Sequence, residues 1–205
     1  MTYLMQTSLR KPLLFNLSLI LLCSFQTTFA QSKFVKAIIP DQANIQYAGS
    51  IGYMSLGAGY NLFKEKAALS FHYGYVPETK GGELHITAIK FEYKPWAIRI
   101  KDKVIFHPFN PVVFLSYTMG KNFGLSFDRD QYAKGYYFWS PALREHLGVS
   151  SEVKILGDRS SKIKAISIYT EANTNDLYMV SWYANRTSTP IYEIFHLGFG
   201  MRMYF

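Results

Sequence analysis

Cysteine is all but missing from this chain. Among 205 residues the only one is Cys23. Cleavage after Ala30 leaves a mature chain with none, which excludes disulfides and thiol chemistry. Cys23 is preceded by Leu22 rather than a small residue, against a lipidated cysteine. Long apolar runs are missing too: after residue 30 no stretch approaches the ~18 apolar residues of a helical span. The five histidines show no H-x-x-x-H spacing, so no metal signature is present and no cofactor is expected. Charged residues make up 18% of the chain, with no basic cluster or recognition-helix pattern, which argues against nucleic acid.

What is present begins with a leader. Arg10 and Lys11 precede a mostly apolar run over 13–25, and Thr28 and Ala30 offer a small-residue cleavage site. This reads as a secretory signal peptide over 1–30, cleaved after Ala30. Its removal lowers the formal charge from +8 to +6, with 20 basic and 14 acidic residues remaining. Residues 31–205 then form one domain by length. Aromatics at 17% suit a barrel with aromatic girdles, and the modest basic excess suits contact with anionic lipid headgroups.

The last twelve residues carry the clearest pattern. Phe195, Leu197, Phe199, Met201, Met203 and Phe205 alternate with His196, Gly198, Gly200, Arg202 and Tyr204. That is period 2 with bulky apolar groups on one face, at the length of a tilted membrane strand, about 9–11 residues. The alternation recurs upstream. Leu69, Phe71, Tyr73 and Tyr75 oppose Ser70 and His72; Ile89, Phe91 and Tyr93 oppose Lys90 and Glu92. Leu147, Val149, Val153 and Ile155 oppose Arg144, His146, Glu152 and Lys154; Ile166 and Ile168 oppose Tyr169 and Glu171. The expected fold is all-β, a closed antiparallel eight-stranded transmembrane β-barrel with apolar side chains toward lipid and polar ones inside.

The expected lumen network comprises Ser70, His72, Lys90, Glu92, Arg144, His146, Glu152, Lys154, Glu171 and Arg202. Four positive charges against three negative point to a salt-bridged plug rather than a pore, since a selective channel favours a ring of one sign. The preferred threading places connections at 63–66, 77–83, 96–111, 120–135, 156–162 and 173–190, with the first strand within 33–39. The alternative makes 177–184 a membrane strand and starts the barrel at Ile45. A change of phase between Tyr53 and Met54 predicts a β-bulge there.

The terminal strand, with Phe199, Met201, Met203 and Phe205, resembles the assembly signal of Gram-negative outer-membrane barrels. The strings IQYAGSIG (45–52), YGYVP (73–77), FEYKPW (91–96) and YAKGYY (132–137) resemble a group of small outer-membrane barrels with no assigned activity. The resemblance implies residence in the outer membrane, contact with its lipid and lipopolysaccharide, and engagement of the barrel-assembly machinery through the C-terminal strand. The scaffold is similar in size to OmpX-like proteins and lipid A deacylase. That deacylase family carries His and Ser two apart, and this chain has no His-x-Ser; Ser70 with His72 is the nearest pair. The expected role is therefore structural or surface-interacting and not enzymatic, with an acyl-modifying enzyme as the alternative and a narrow pore behind it. A surface ligand is expected, if anywhere, at the aromatic loop 127–139, where Tyr and Trp also serve as headgroup-level anchors.

Overall fold

The computed structural model describes residues 38–120, 123, 140, 142–158 and 160–205. The leader, the loop 127–139 and most of the stretch 33–39 lie outside the described residues. The barrel unit runs from Pro40 to Phe205. Its strands are β1 (Gln42–Ala48), β2 (Met54–Leu62), β3 (Ala67–Val76), β4 (Leu84–Tyr93), β5 (Ile98–Lys101), β6 (Val104–Met119), β7 (Leu143–Leu156), β8 (Ala165–Asn175) and β9 (His196–Tyr204); one helix, α1 (Asp176–Ala184), separates the last two.

All pairings are antiparallel, in the order β4-β3-β2-β1-β9-β8-β7-β6-β5, and β4 also pairs with β6. Eight strands thus close into a ring, and β5 is a short arm on the lower half of β6. Gln42 faces Tyr204 at the β1–β9 seam, and Phe205 N donates to Asp41 O at 2.9 Å just beyond it. Tracing partners from Glu145 through Leu115, Ile89, Phe71, Ala58, Ala43, Met203 and Ile166 returns to β7 at Ile155. The offset from 145 to 155 is a shear of ten. At ~3.3 Å per residue and ~4.8 Å between strands, that shear tilts the strands by roughly 40°.

Alternation decides which side of the wall each residue takes. Leu56, Phe71, Ile89, Val113, Ile168 and Phe199 are exposed on the outside, whereas Ser70, His72, Lys90, Glu92, Glu152 and Arg202 are buried within. The short turn at 63–66 forms as expected, with Phe63, Lys64 and Glu65 all at positive φ and Lys66 N donating to Phe63 O.

Four expectations are corrected. The strand that precedes β2 in the ring, expected within 33–39, is Gln42–Ala48, which pairs with both β2 and β9. Its inward face is Gln42, Asn44 and Gln46, amides that give the strand weak apolar contrast. No bulge occurs at Tyr53–Met54. Tyr47 pairs with Met54, and the change of phase marks the β1–β2 loop, where Ala48, Gly49 and Gly52 turn the chain at positive φ. The interior, expected to be polar, also holds Ile51 from that loop, fully buried in a cluster with Ala88, Val112 and Phe114, so the lumen is not polar throughout. The connection expected over 96–111 is a hairpin of β5 and the sixteen-residue β6. The irregularity falls instead between His107 and Asn110, where Pro108 lacks a donor for the ladder.

The alternative's strand at 177–184 is helix. Asn175 caps α1 by accepting from Tyr178 N, and Asp176 sits in the first turn, both favourable at a helix N-terminus. No described helix is long and apolar enough to cross a membrane, which says nothing of strands.

Candidate functional site

Buried charge gathers in the lumen, in two groups. The upper one joins β4, β8 and β1. Lys90 Nζ lies 2.8 and 3.0 Å from the carboxylate oxygens of Glu171 and donates to Gln46 Oε1 at 3.2 Å. Tyr169 OH donates to the same Gln46 oxygen at 2.9 Å, and Asn173 Nδ2 to Glu171 Oε1 at 3.0 Å.

The lower group joins β4, β7 and β9. Arg202 Nη1 contacts Glu92 Oε2 at 2.5 Å and Glu152 Oε2 at 3.0 Å, while its Nη2 reaches Glu92 Oε1 at 3.1 Å. Lys94 Nζ donates to Glu152 Oε2 at 2.5 Å and to Tyr204 OH at 3.0 Å. Tyr204 OH in turn donates to Glu152, and Ser150 Oγ donates to Glu92. The Arg202 guanidinium stacks 4.1 Å from the Tyr169 ring centroid, which links the two groups. Lys154 lies over Tyr204 and pairs with Glu65 from the β2–β3 turn at 2.7 Å.

The paired cations are thus Lys90, Lys94, Lys154 and Arg202, facing Glu92, Glu152, Glu171 and Glu65. Each buried carboxylate has a cation in contact, the condition under which charge in a low-dielectric interior is tolerated. Arg144 departs from the expected set. It sits at the mouth, donating to the Ser140 and Leu143 carbonyls, with Asp176 at 3.9 Å. Two members were not anticipated. Lys94 continues the even-numbered series of Lys90 and Glu92, but Pro95 beside it reads as a strand end. Glu65 belongs to a turn, where alternation gives no signal.

Glycines make room for large lumen side chains on the neighbouring strand. A Cβ at Gly200 would stand 2.3 Å from Tyr169 Cζ, and one at Gly57 2.6 Å from His72 Nδ1. Tyr169 and His72 are their direct cross-strand partners. Such pairing of large with small fills a narrow barrel.

Two Ser–His pairs complete the interior. Ser70 Oγ lies 2.9 Å from His72 Nε2, and Ser116 Oγ 2.8 Å from His146 Nε2. The His146 ring stacks on Phe114 at 4.1 Å. Both dyads are buried, and among the described residues neither Nδ1 has a hydrogen-bond partner and no carboxylate orients either imidazole. No three His, Cys, Asp or Glu side chains among the described residues are grouped to hold a metal ion.

Beyond the wall, Lys103 and Asp158 form an exposed pair at 2.9 Å. The hydrogen bond from Lys103, followed by its charge, holds the Asp158 carboxyl below its ordinary value and raises Lys103 in turn. Compared with protein-family models, curated proteins and solved structures, the chain matches none at a significant level.

Proposed function

We propose that this chain is an outer-membrane barrel whose lumen is sealed by its ion-pair network, and which acts through its outer wall and loops as a structural or interaction element. The observation that carries the reading is the inversion of polarity. Charges are buried and paired inside, while Leu56, Ile89, Ile168 and Phe199 stand exposed around the wall. A water-soluble domain rarely presents contiguous apolar surface beyond a few hundred Å², whereas a bilayer requires it. The tilt of roughly 40° agrees with the 35–45° of membrane barrels, and a closed ring leaves few backbone groups to be satisfied by water. The likeness of the β9 sequence to an outer-membrane assembly signal supports that location.

A passive seal rather than a channel follows from the matched charges: ions crossing the lumen would have to displace contacts such as Lys90–Glu171 and Arg202–Glu92. The acyl-modifying alternative has one observation in its favour, the Ser70–His72 hydrogen bond. That pair is buried inside the ring and has no orienting acid among the described residues, features that favour packing over nucleophilic chemistry.

The test is reconstitution in lipid vesicles with two readouts. The unboiled protein is expected to migrate faster than the boiled one on a gel, and planar bilayers containing it are expected to show no ohmic conductance. Loss of the gel shift would sink the membrane barrel, and steady conductance would sink the seal.

A further inference from the structure

Helix α1 lies against the outside of the wall, and its Met179 and Val180 form one bank of a groove of about 720 Å³. The opposite bank and floor are outward residues, Leu69, Ile89, Val113 and Leu115 among them. On the other side of the helix the same two residues help line a second apolar groove of about 570 Å³ that extends to Phe109, Ile191 and Phe195. A ridge carrying an apolar channel on each flank has the form of a seat for hydrocarbon chains.

The first groove is not uniformly apolar. Glu145 and Asp176 are its acidic lining residues. Asp176 has Arg144 at 3.9 Å. Glu145, exposed, has neither an ion pair nor a hydrogen bond among the described residues. Its depth follows from the tilt. Each step across the sheet from Glu145 to Leu115 to Ile89 to Phe71 descends by about 3 Å toward the turn end, at ~4.8 Å spacing and roughly 40°. The residues level with Glu145 are therefore Tyr117, Thr87 and Tyr75. Tyrosines at that height mark the headgroup layer, with the groove opening into the hydrocarbon below. A carboxylate with no partner among the described residues, on a lipid-facing wall, calls for a cationic one.

We propose that the groove beside α1 holds an acyl chain of an amine-headgroup lipid, whose ammonium pairs with Glu145. The inference rests on the membrane reading above. Charge selects the headgroup: a zwitterionic lipid presents its ammonium to Glu145, whereas an anionic lipid without an amine is repelled. The second groove, sharing Met179 and Val180, takes the other chain of a diacyl lipid.

Native mass spectrometry from detergent micelles tests this, with full-length mature protein offered equimolar palmitoyl-oleoyl phosphatidylethanolamine and phosphatidylglycerol. An exposed ion pair contributes at most ~1 kcal/mol, so phosphatidylethanolamine adducts are expected to exceed phosphatidylglycerol adducts by about fivefold. Glu145→Gln abolishes that excess while leaving total lipid adducts near wild type. Val180→Trp, which fills both grooves from a position outside the barrel ladder, reduces adducts of both lipids. Equal retention of the two lipids by wild type overturns the proposal, as does an excess that survives Glu145→Gln or adducts unaffected by Val180→Trp. The gel-shift assay separates the two levels. A chain that never inserts into vesicles overturns both readings; one that inserts but holds both lipids equally overturns only this inference.

Discussion

Arg202 on β9 grips Glu92 on β4 with both ends of its guanidinium, at 2.5 and 3.1 Å, across the full width of the lumen. The two strands are not neighbours in the ring. This contact therefore braces opposite walls rather than adjacent ones, and the same Arg202 nitrogen also reaches Glu152 on β7.

Removing that cation leaves two buried carboxylates with Lys94 as their remaining cation in contact. Arg202→Met is expected to destabilise the folded barrel by about 3–5 kcal/mol, the penalty for an uncompensated buried charge. Adding Glu92→Gln restores the match, since Glu152 keeps Lys94, and most of the loss is recovered. Urea unfolding in vesicles, followed by tryptophan fluorescence, measures both. A double variant as unstable as the single one would show that geometry, not charge balance, sets the stability.

Tyr169 supplies the second prediction. Its ring lies against the bare backbone of Gly200, and any side chain there must displace it along with the Tyr169–Gln46 hydrogen bond. Gly200→Val is expected to destabilise by about 1–3 kcal/mol through overpacking. In a Tyr169→Ala background the same substitution has room, so its penalty shrinks. That non-additivity is the diagnostic readout of a double-mutant cycle.

How far the sequence disclosed this architecture depended on contrast between the two faces of each strand. In β3, β4, β7 and β9, bulky apolar residues alternate with charged, polar or very small ones, and their inside and outside were legible residue by residue. β1 was reached only by the alternative threading that starts the barrel at Ile45, because Gln42, Asn44 and Gln46 alternate with Ala43, Ile45 and Tyr47, a contrast too shallow to favour it. The burial of Ile51 gave no signal because a loop obeys no period: it folds back over Gly74, where a Cβ would meet Ile51 O at 1.6 Å. The network was legible wherever its members sat on strands. Lys94 and Glu65, which reach in from a strand end and a turn, depend on three-dimensional proximity that no spacing encodes. Glu145 was passed over for the opposite reason, since a charged residue on the outward face looks like an interruption of the pattern.

The turn end offers a pH-dependent prediction. Asp158, with its carboxyl held low by Lys103, contributes stability above the unfolded carboxylate value of about 3.9, and loses it as pH falls through its own lowered value. Lys103, raised by Asp158, contributes below about 10.4 and loses it as pH rises through its raised value. The pair is thus intact throughout the neutral range. Titration of the Asp158 carboxyl by NMR is expected to show a midpoint below 3.9 that moves up on Lys103→Ala, or in ~1 M salt, which screens exposed charges. A midpoint indifferent to both would remove the pair from consideration.

His72 separates packing from chemistry. Its imidazole covers Gly57, accounts for the Ser70 hydroxyl and is buried within the ring. His72→Ala leaves a cavity and an unsatisfied hydroxyl, a loss of about 1–3 kcal/mol from the hydroxyl alone. Seen as a packing residue, it predicts lower stability with an unaltered acyl pattern of lipid A in cells carrying the variant. Ser70→Ala should then be the milder change, since it removes one small group and leaves the ring over Gly57. An enzyme makes the reverse ordering: Ser70→Ala would abolish turnover while barely touching stability, because a nucleophile has no substitute whereas a packed hydroxyl does. Mass analysis of lipid A beside unfolding of the two variants distinguishes these orderings, and an acyl pattern altered by Ser70→Ala alone would move the function of this barrel from its surface to its interior.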